Sequence, residues 1–350
     1  MIAGRQPWVM YKMGATPRMR SLCHEAPDFL KTMTNSIPTI TFLFPGQGSQ
    51  SVGMGKELAE KYPLARQTFA EADEALGYKL SQLCFEGPED QLRMTETTQP
   101  AILTTSIAVW RVLNEKGLKC SFAAGHSLGE YSAHVVAGTV QFSDAVRMVR
   151  SRGRYMQEAV PEGVGAMAAI LGMDLEKVTA VCRDVAQNQV CEPANINSPE
   201  QIVISGHSSA VERATKLASE RGAKRAIMLP VSAPFHCALM RPAQDRLAAD
   251  LSSASLTNPQ IPVACNVDAA LVENAERSRD ALVRQVTGSV KWEQSMRLLV
   301  AKGVQTFVEV GPGKVLRGLM RQIDRSRTCL NVEDEASLNN TLQDFGRVNS

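Results

Sequence analysis

The chain has 350 residues, enough for one large α/β core with an insertion. Its apolar fraction is 44%, its charged fraction 21% and its formal net charge +2, which is ordinary globular usage and excludes the basic balance of a nucleic-acid binder. No apolar run reaches the roughly 18 to 20 residues of a membrane span, the start lacks a signal-peptide core, and eight cysteines are scattered without a C-x-x-C pair. A soluble protein with reduced thiols, no metal and no membrane contact is expected.

Residues 1–37 carry Arg5, Lys12, Arg18, Arg20 and Lys31 against only Glu25 and Asp28, yet little serine. They are read as a disordered tail, which makes the protein cytoplasmic, or organellar if the tail is a transit peptide.

The run TITFLF (39–44), ended by Pro45-Gly46, predicts a strand buried on both faces. A glycine-rich turn leads into one helical stretch over 55–76, and apolar residues at helical spacing predict a helix over 99–116 that stops at Gly117. Residues 122–125 read as a short strand running into GHSLG (125–129). Helices are expected over 130–136 and, capped by Ser143-Asp144, over 143–159. Between 162 and 230 the pattern is β-α-β-α-β, with strands AMAAILG, QIVIS and RAIMLP. A helix over 236–251, a strand PVACN (262–266), a helix near 292–302 and a strand TFVEV before Gly311-Pro312-Gly313 follow. Strands alternating with helices imply a mainly parallel sheet covered on both sides.

The strongest chemical signal is GHSLG, a G-x-S-x-G placed between a predicted strand and a predicted helix. Such a turn strains the serine backbone, and flanking glycines let strand and helix approach. Ser127 then sits at a helix N-terminus, where Leu128 N–H would be one oxyanion donor. The bland alternative is a chance match in a glycine- and alanine-rich chain.

A serine nucleophile needs a base, and the chain has five histidines: His24, His126, His134, His207 and His236. His24 lies in the tail, His126 adjoins the serine, and His134 and His207 suit a helix and a turn. His236 remains, after the proline-punctuated loop 230–235 and near the start of the next helix. Capping histidine and general base stay open for it on residue type alone. No acid between Ser127 and His236, Glu130 included, stands out as a triad member, so a dyad is expected. Arg152, in SRGR (151–154), has no acidic partner at i+4 and reads on its own as a solvated helix-surface arginine.

These residues resemble the malonyl-CoA:acyl carrier protein transacylases of type II fatty-acid synthesis. The match runs over 40–333 and rests on FPGQGSQ (44–50), GHSLGEY (125–131), Arg152, NINSP (195–199), Phe235-His236 and VGPG (310–313). The resemblance implies an α/β-hydrolase-like core with a parallel sheet, formed by 38–161 and 231–335. It also implies an inserted ferredoxin-like small subdomain over 162–230, which leaves 336–350 as a tail.

It further implies a Ser127 acyl-enzyme, His236 as base, and an oxyanion hole from the N–H groups of Gln47 and Leu128. Arg152 would grip the malonyl carboxylate, the main-chain carbonyl of Gln285 would orient His236, and Asn195 and Phe235 would line the cleft. Phe235 would crowd an α-methyl group and so favour malonyl. The implied partners are malonyl-CoA and holo acyl carrier protein; a monomer without cofactor is expected. Arg150, Arg154 and Arg241 are candidates for a basic patch facing an acidic carrier. A trans-acting polyketide acyltransferase, a serine thioesterase or hydrolase, and a non-catalytic scaffold are the competing readings.

Overall fold

Five consecutive buried residues, ITFLF, form β1 (Ile40–Phe44) and place it inside a sheet covered on both sides. Phe42 and Phe44 enter one apolar core while Leu43 enters another, as alternate side chains of a strand must. The computed structural model describes residues 39–348, with Ser232 excepted.

After β1 come α1 (Lys56–Lys61), α2 (Pro63–Leu76), α3 (Leu80–Glu86), α4 (Glu89–Arg93) and α5 (Thr95–Glu115), then β2 (Phe122–Gly125), α6 (Gly129–Val136) and α7 (Phe142–Glu158). The second segment holds β3 (Gly165–Leu171), α8 (Leu175–Val185), β4 (Cys191–Ser198), β5 (Gln201–His207), α9 (Ser208–Glu220) and β6 (Arg225–Met228). A 3-10 turn (Ala238–Met240) and α10 (Arg241–Ser253) return the chain to the first layer. There it forms β7 (Val263–Cys265), β8 (Ala270–Val272), α11 (Ala275–Arg284), α12 (Trp292–Ala301), β9 (Thr306–Val310), α13 (Val315–Ile323), β10 (Thr328–Val332) and α14 (Glu335–Val348).

The large sheet has the order β10-β9-β1-β2-β7-β8 and is parallel except for the final β7–β8 pair. The small sheet has the order β4-β5-β3-β6 and its pairs are antiparallel. Its segment reads β-α-β-β-α-β, the ferredoxin-like motif. The α/β architecture with a hydrolase-like parallel sheet and a ferredoxin-like part is as expected.

Several local expectations are corrected. The β-α-β-α-β reading missed β4, because CEPANINS carries a proline and two asparagines that disfavour strands. It lies at the sheet edge, where a missing N–H is tolerated, and two register shifts interrupt its ladder. The stretch 55–76 breaks at Tyr62, because Pro63 starts a new helix. The Ser143-Asp144 cap does not form: α7 begins one residue earlier, with Gln141 as N-cap.

His236 does not open a helix. Its φ of 60° is left-handed, so α10 starts only at Arg241. Residues 336–350, expected as a tail, largely belong to α14, whose Leu338, Thr341 and Phe345 are buried. Among the described residues no helix is long and apolar enough to cross a membrane. Residues 1–37, expected as a disordered tail or transit peptide, lie outside the described residues.

Candidate active site

β2 ends at Gly125 and α6 begins at Gly129, so Ser127 sits on the sharp turn between them. Its φ of 51° is left-handed, a conformation that costs an ordinary residue roughly 1–2 kcal/mol. A Cβ on Gly125 would lie 1.9 Å from the main-chain carbon of Gly129, so only glycine permits this approach. Asn266, at the end of β7, clamps the turn. Its Oδ1 accepts the Ser127 N–H at 2.7 Å and its Nδ2 donates to the Gly125 carbonyl at 2.7 Å. Sequence reasoning missed Asn266; its only signal was a polar residue closing the apolar run PVAC.

The Ser127 Oγ lies 2.7 Å from His236 Nε2, and His236 Nδ1 lies 2.9 Å from the Gln285 main-chain oxygen. A carbonyl only accepts, so the proton is assigned to Nδ1 and the Nε2 lone pair faces the serine hydroxyl. Burial, reinforced by the Arg152 charge, pushes His236 down to about 3. The imidazole is therefore neutral at pH 7 and able to take a proton.

Arg152 is 1% exposed, which overturns the solvated reading. Its Nη1 donates to Gln99 Oε1 at 2.8 Å, and its Nη2 donates to Ser127 Oγ at 3.1 Å and to Gln285 Oε1 at 2.9 Å. None of these partners is a carboxylate. Its Nε–H is buried without an acceptor among the described residues. Burial pulls its pKa down, although the guanidinium remains cationic.

Gln285 does more than offer its carbonyl, which sequence reasoning also missed. Its Nε2 donates to the Ser127 carbonyl at 3.0 Å and to Glu130 Oε2 at 2.7 Å. Glu130 Oε2 also accepts the Asn266 N–H at 3.0 Å. Read from sequence as one unremarkable acid among several, Glu130 is fully buried.

The remaining candidates are placed less uniformly. Neither the Gln47 nor the Leu128 N–H donates within the described chain, which leaves both available to an anion. Gly46 lets the Gln47 turn approach the elbow, since a Cβ there would meet the His126 carbonyl oxygen at 2.4 Å. Phe235 is buried beside His236 in the chain. Asn195 lies on β4 opposite Val203, and its Oδ1 is buried without a partner among the described residues. It is Asn197, two residues on, that reaches the elbow, where its Oδ1 accepts from His126 Nε2 at 2.8 Å.

His126 also tilts against Trp292, His134 pairs with Thr139 at 3.2 Å, and His207 Nδ1 accepts from Val190 N–H at 2.9 Å. All three are structural. Arg150 and Arg154 lie two residues either side of Arg152, about 200° round the helix, and so face away from it. They line a separate cavity of about 220 Å³ whose walls include none of Ser127, His236 or Arg152.

A hydroxyl against a neutral imidazole, two free N–H groups and a buried cation can together run acyl transfer through an ester. Residues 41–345 match the family described as "Acyl transferase domain". The chain is 51% identical over 302 residues to the malonyl CoA-acyl carrier protein transacylase of Salmonella typhimurium, covering 86% of this chain and 98% of that protein. An acyl carrier protein S-malonyltransferase structure from Vibrio cholerae superposes with a TM-score of 0.85 at 49% identity, covering 87% of this chain and 99% of that one. A malonyl-transacylase solved in complex with a type II polyketide acyl-carrier protein superposes with a TM-score of 0.86 at 48% identity, covering 87% and 99%. The chain belongs to the acyl transferase domain family and, within it, to the malonyl CoA-acyl carrier protein transacylases.

Proposed function

We propose that this chain moves malonyl from malonyl-CoA to the phosphopantetheine thiol of holo acyl carrier protein through an ester on Ser127 Oγ, for fatty-acid synthesis. His236 Nε2 takes the Ser127 proton as Oγ attacks the thioester carbonyl. The tetrahedral oxyanion is held by the N–H groups of Gln47 and Leu128, and collapse expels coenzyme A thiolate, which receives the proton from His236. The carrier thiol then loses its proton to the same nitrogen and attacks the ester, restoring Ser127. Gln285 keeps the imidazole in the required tautomer through its carbonyl.

The observation that carries this reading is Arg152, a buried cation with an unused Nε–H, 3.1 Å from the nucleophile and without a carboxylate partner. Such a group has a use when the acyl chain ends in a carboxylate, which Arg can grip bidentately. A simple thioesterase has no need of it. Phe235 would crowd an α-methyl, and Asn195 lines the cleft from the smaller sheet.

The reading takes 38–161 with 231–335, extended through α14, as the core and 162–230 as the inserted subdomain, supported by the division of strands between two sheets and by the burial of Leu338 and Phe345 in the main core. The enzyme is read as acting as a monomer. It works in the cytoplasm, a compartment that suits the seven free cysteines described. A trans-acting polyketide acyltransferase is the second reading, favoured by the relative bound to a polyketide carrier.

Radiolabelled malonyl-CoA followed by holo carrier tests the function. Label should bind wild type, move to carrier and be absent in Ser127→Ala. Release of free malonate at the same rate with or without carrier would overturn transfer in favour of hydrolysis.

A further inference from the structure

Arg152 carries a charge into the core without a direct ion pair among the described residues, yet a carboxylate lies one side chain away. Arg152 Nη2 donates to Gln285 Oε1 at 2.9 Å, and the same amide donates through Nε2 to Glu130 Oε2 at 2.7 Å. The amide separates the two charges. A direct Arg152–Glu130 pair would fill the guanidinium face that a substrate carboxylate needs; the inserted amide leaves Nε–H unused. Among the described residues Glu130 Oε1 likewise has no partner, so that oxygen is open to a proton.

We infer that Glu130 is the resident counter-charge of Arg152, and that an arriving acyl carboxylate replaces that charge by driving a solvent proton onto Glu130 Oε1. The inference rests on the reading that Arg152 grips the malonyl carboxylate. In the empty site the guanidinium is balanced by Glu130 through the amide. When a second anion lands on Arg152, two carboxylates compete for one buried cation, and the one that cannot leave neutralises. The proton comes from buffer and returns to it when the acyl group departs.

The neighbours of Glu130 leave it as the group that titrates near neutrality. Burial pushes it up to about 7, opposed by the Gln285 and Asn266 hydrogen bonds and the Arg152 charge. Tyr131 beside it on α6 and Cys265 on β7 are both pushed up by burial, Cys265 to about 11. Asp268, after β7, is held down by Arg284, and His236 is held down by burial and Arg152. Arg152 stays cationic.

The test is calorimetric binding of malonyl-CoA to Ser127→Ala at pH 8, in two buffers of different ionisation enthalpy. Uptake of roughly half to one proton per site is expected, because Glu130 is largely ionised before binding and its pKa rises on binding. Ser127→Ala/Glu130→Gln, in which the glutamine keeps an acceptor for Gln285 and Asn266, should bind malonyl-CoA without uptake. Acetyl-CoA, lacking the carboxylate, should cause none in either. Binding with no proton uptake in Ser127→Ala, or the same uptake in the double variant, overturns the inference while leaving the transferase reading intact.

In otherwise wild-type enzyme, KM for malonyl-CoA should rise with pH above neutrality, toward a limit of about tenfold per unit, and stay flat in Glu130→Gln. Equal slopes would sink the inference on turnover data as well. Failure of wild type to form the Ser127 ester would instead sink the transferase reading, and the calorimetric comparison still decides the role of Glu130.

Discussion

His236 Nδ1 lies 2.9 Å from the main-chain oxygen of Gln285, so the base is held by a neutral dipole and not by a carboxylate. Both reacting residues, Ser127 and His236, also sit in left-handed backbone, with φ of 51° and 60°. Held strain of this kind fixes where Oγ and Nε2 meet. His236→Ala should lower the rate of malonyl loading onto Ser127 by roughly 10²–10⁴, the usual worth of a positioned base, as read by quenched-flow labelling.

The two nitrogens a carboxylate needs are arranged on a planar fork, which an ammonium cannot copy. Arg152→Lys should therefore lose malonyl loading almost as fully as Arg152→Ala. Loss of two charge-assisted bonds amounts to roughly 3–5 kcal/mol, or about 10² to 10³·⁵ in kcat/KM. Acetyl loading should fall much less. Comparing kcat/KM for the two acyl groups measures it, and an equal loss for both would remove Arg152 from carboxylate recognition.

Asn266→Ala strips the acceptor from Ser127 N–H and the donor from Gly125 carbonyl at a fully buried site. Each orphaned group costs about 1–3 kcal/mol, so the denaturation midpoint should drop clearly. With the elbow loosened, kcat should fall while KM changes little. Wild-type kcat in a folded variant would refute the clamp.

Phe235→Ala should relax the choice between malonyl and methylmalonyl. A methyl in a pocket is worth about 1–3 kcal/mol, so the ratio of kcat/KM values should move by about 10- to 200-fold toward the branched unit. An unchanged ratio would mean that the ring does not meet the α-carbon.

Stability against pH reflects opposed buried groups. His126, His134 and His236 are all lowered from 6.5, so unfolding takes up protons below that pH. Glu130 and Glu309 are raised from 4.5 to about 7, so unfolding releases protons between those values. Between about 4.5 and 6.5 the two effects oppose each other and the urea midpoint should change little. Below 4.5 the glutamates are protonated in both states, so the lowered histidines act unopposed, joined by carboxyls held down in the fold such as Asp268 and Asp184, and stability should fall steeply as pH drops. A steep change already present between pH 5 and 6.5 would contradict this balance.

The elbow was legible in five residues, because a left-handed serine between a strand and a helix needs glycine at fixed neighbouring positions. The buried strand ITFLF and the elimination that left His236 were legible too, since these rest on local pattern and on a short inventory of imidazoles. Which polar side chains lose their water depends on contacts between distant parts of the chain. Glu130 is one helical acid among several until Asn266 and Gln285, 136 and 155 residues away, close over it. Arg152 reads as solvated until Gln99 and Gln285 meet it from opposite directions in the chain. Strand β4 was illegible for a related reason: its proline and asparagines disfavour a strand locally, and it forms because β5 and the segment at Val290 offer it main-chain partners. Local backbone geometry leaves a local signature, whereas burial and charge balance are set by contacts that no window of sequence contains.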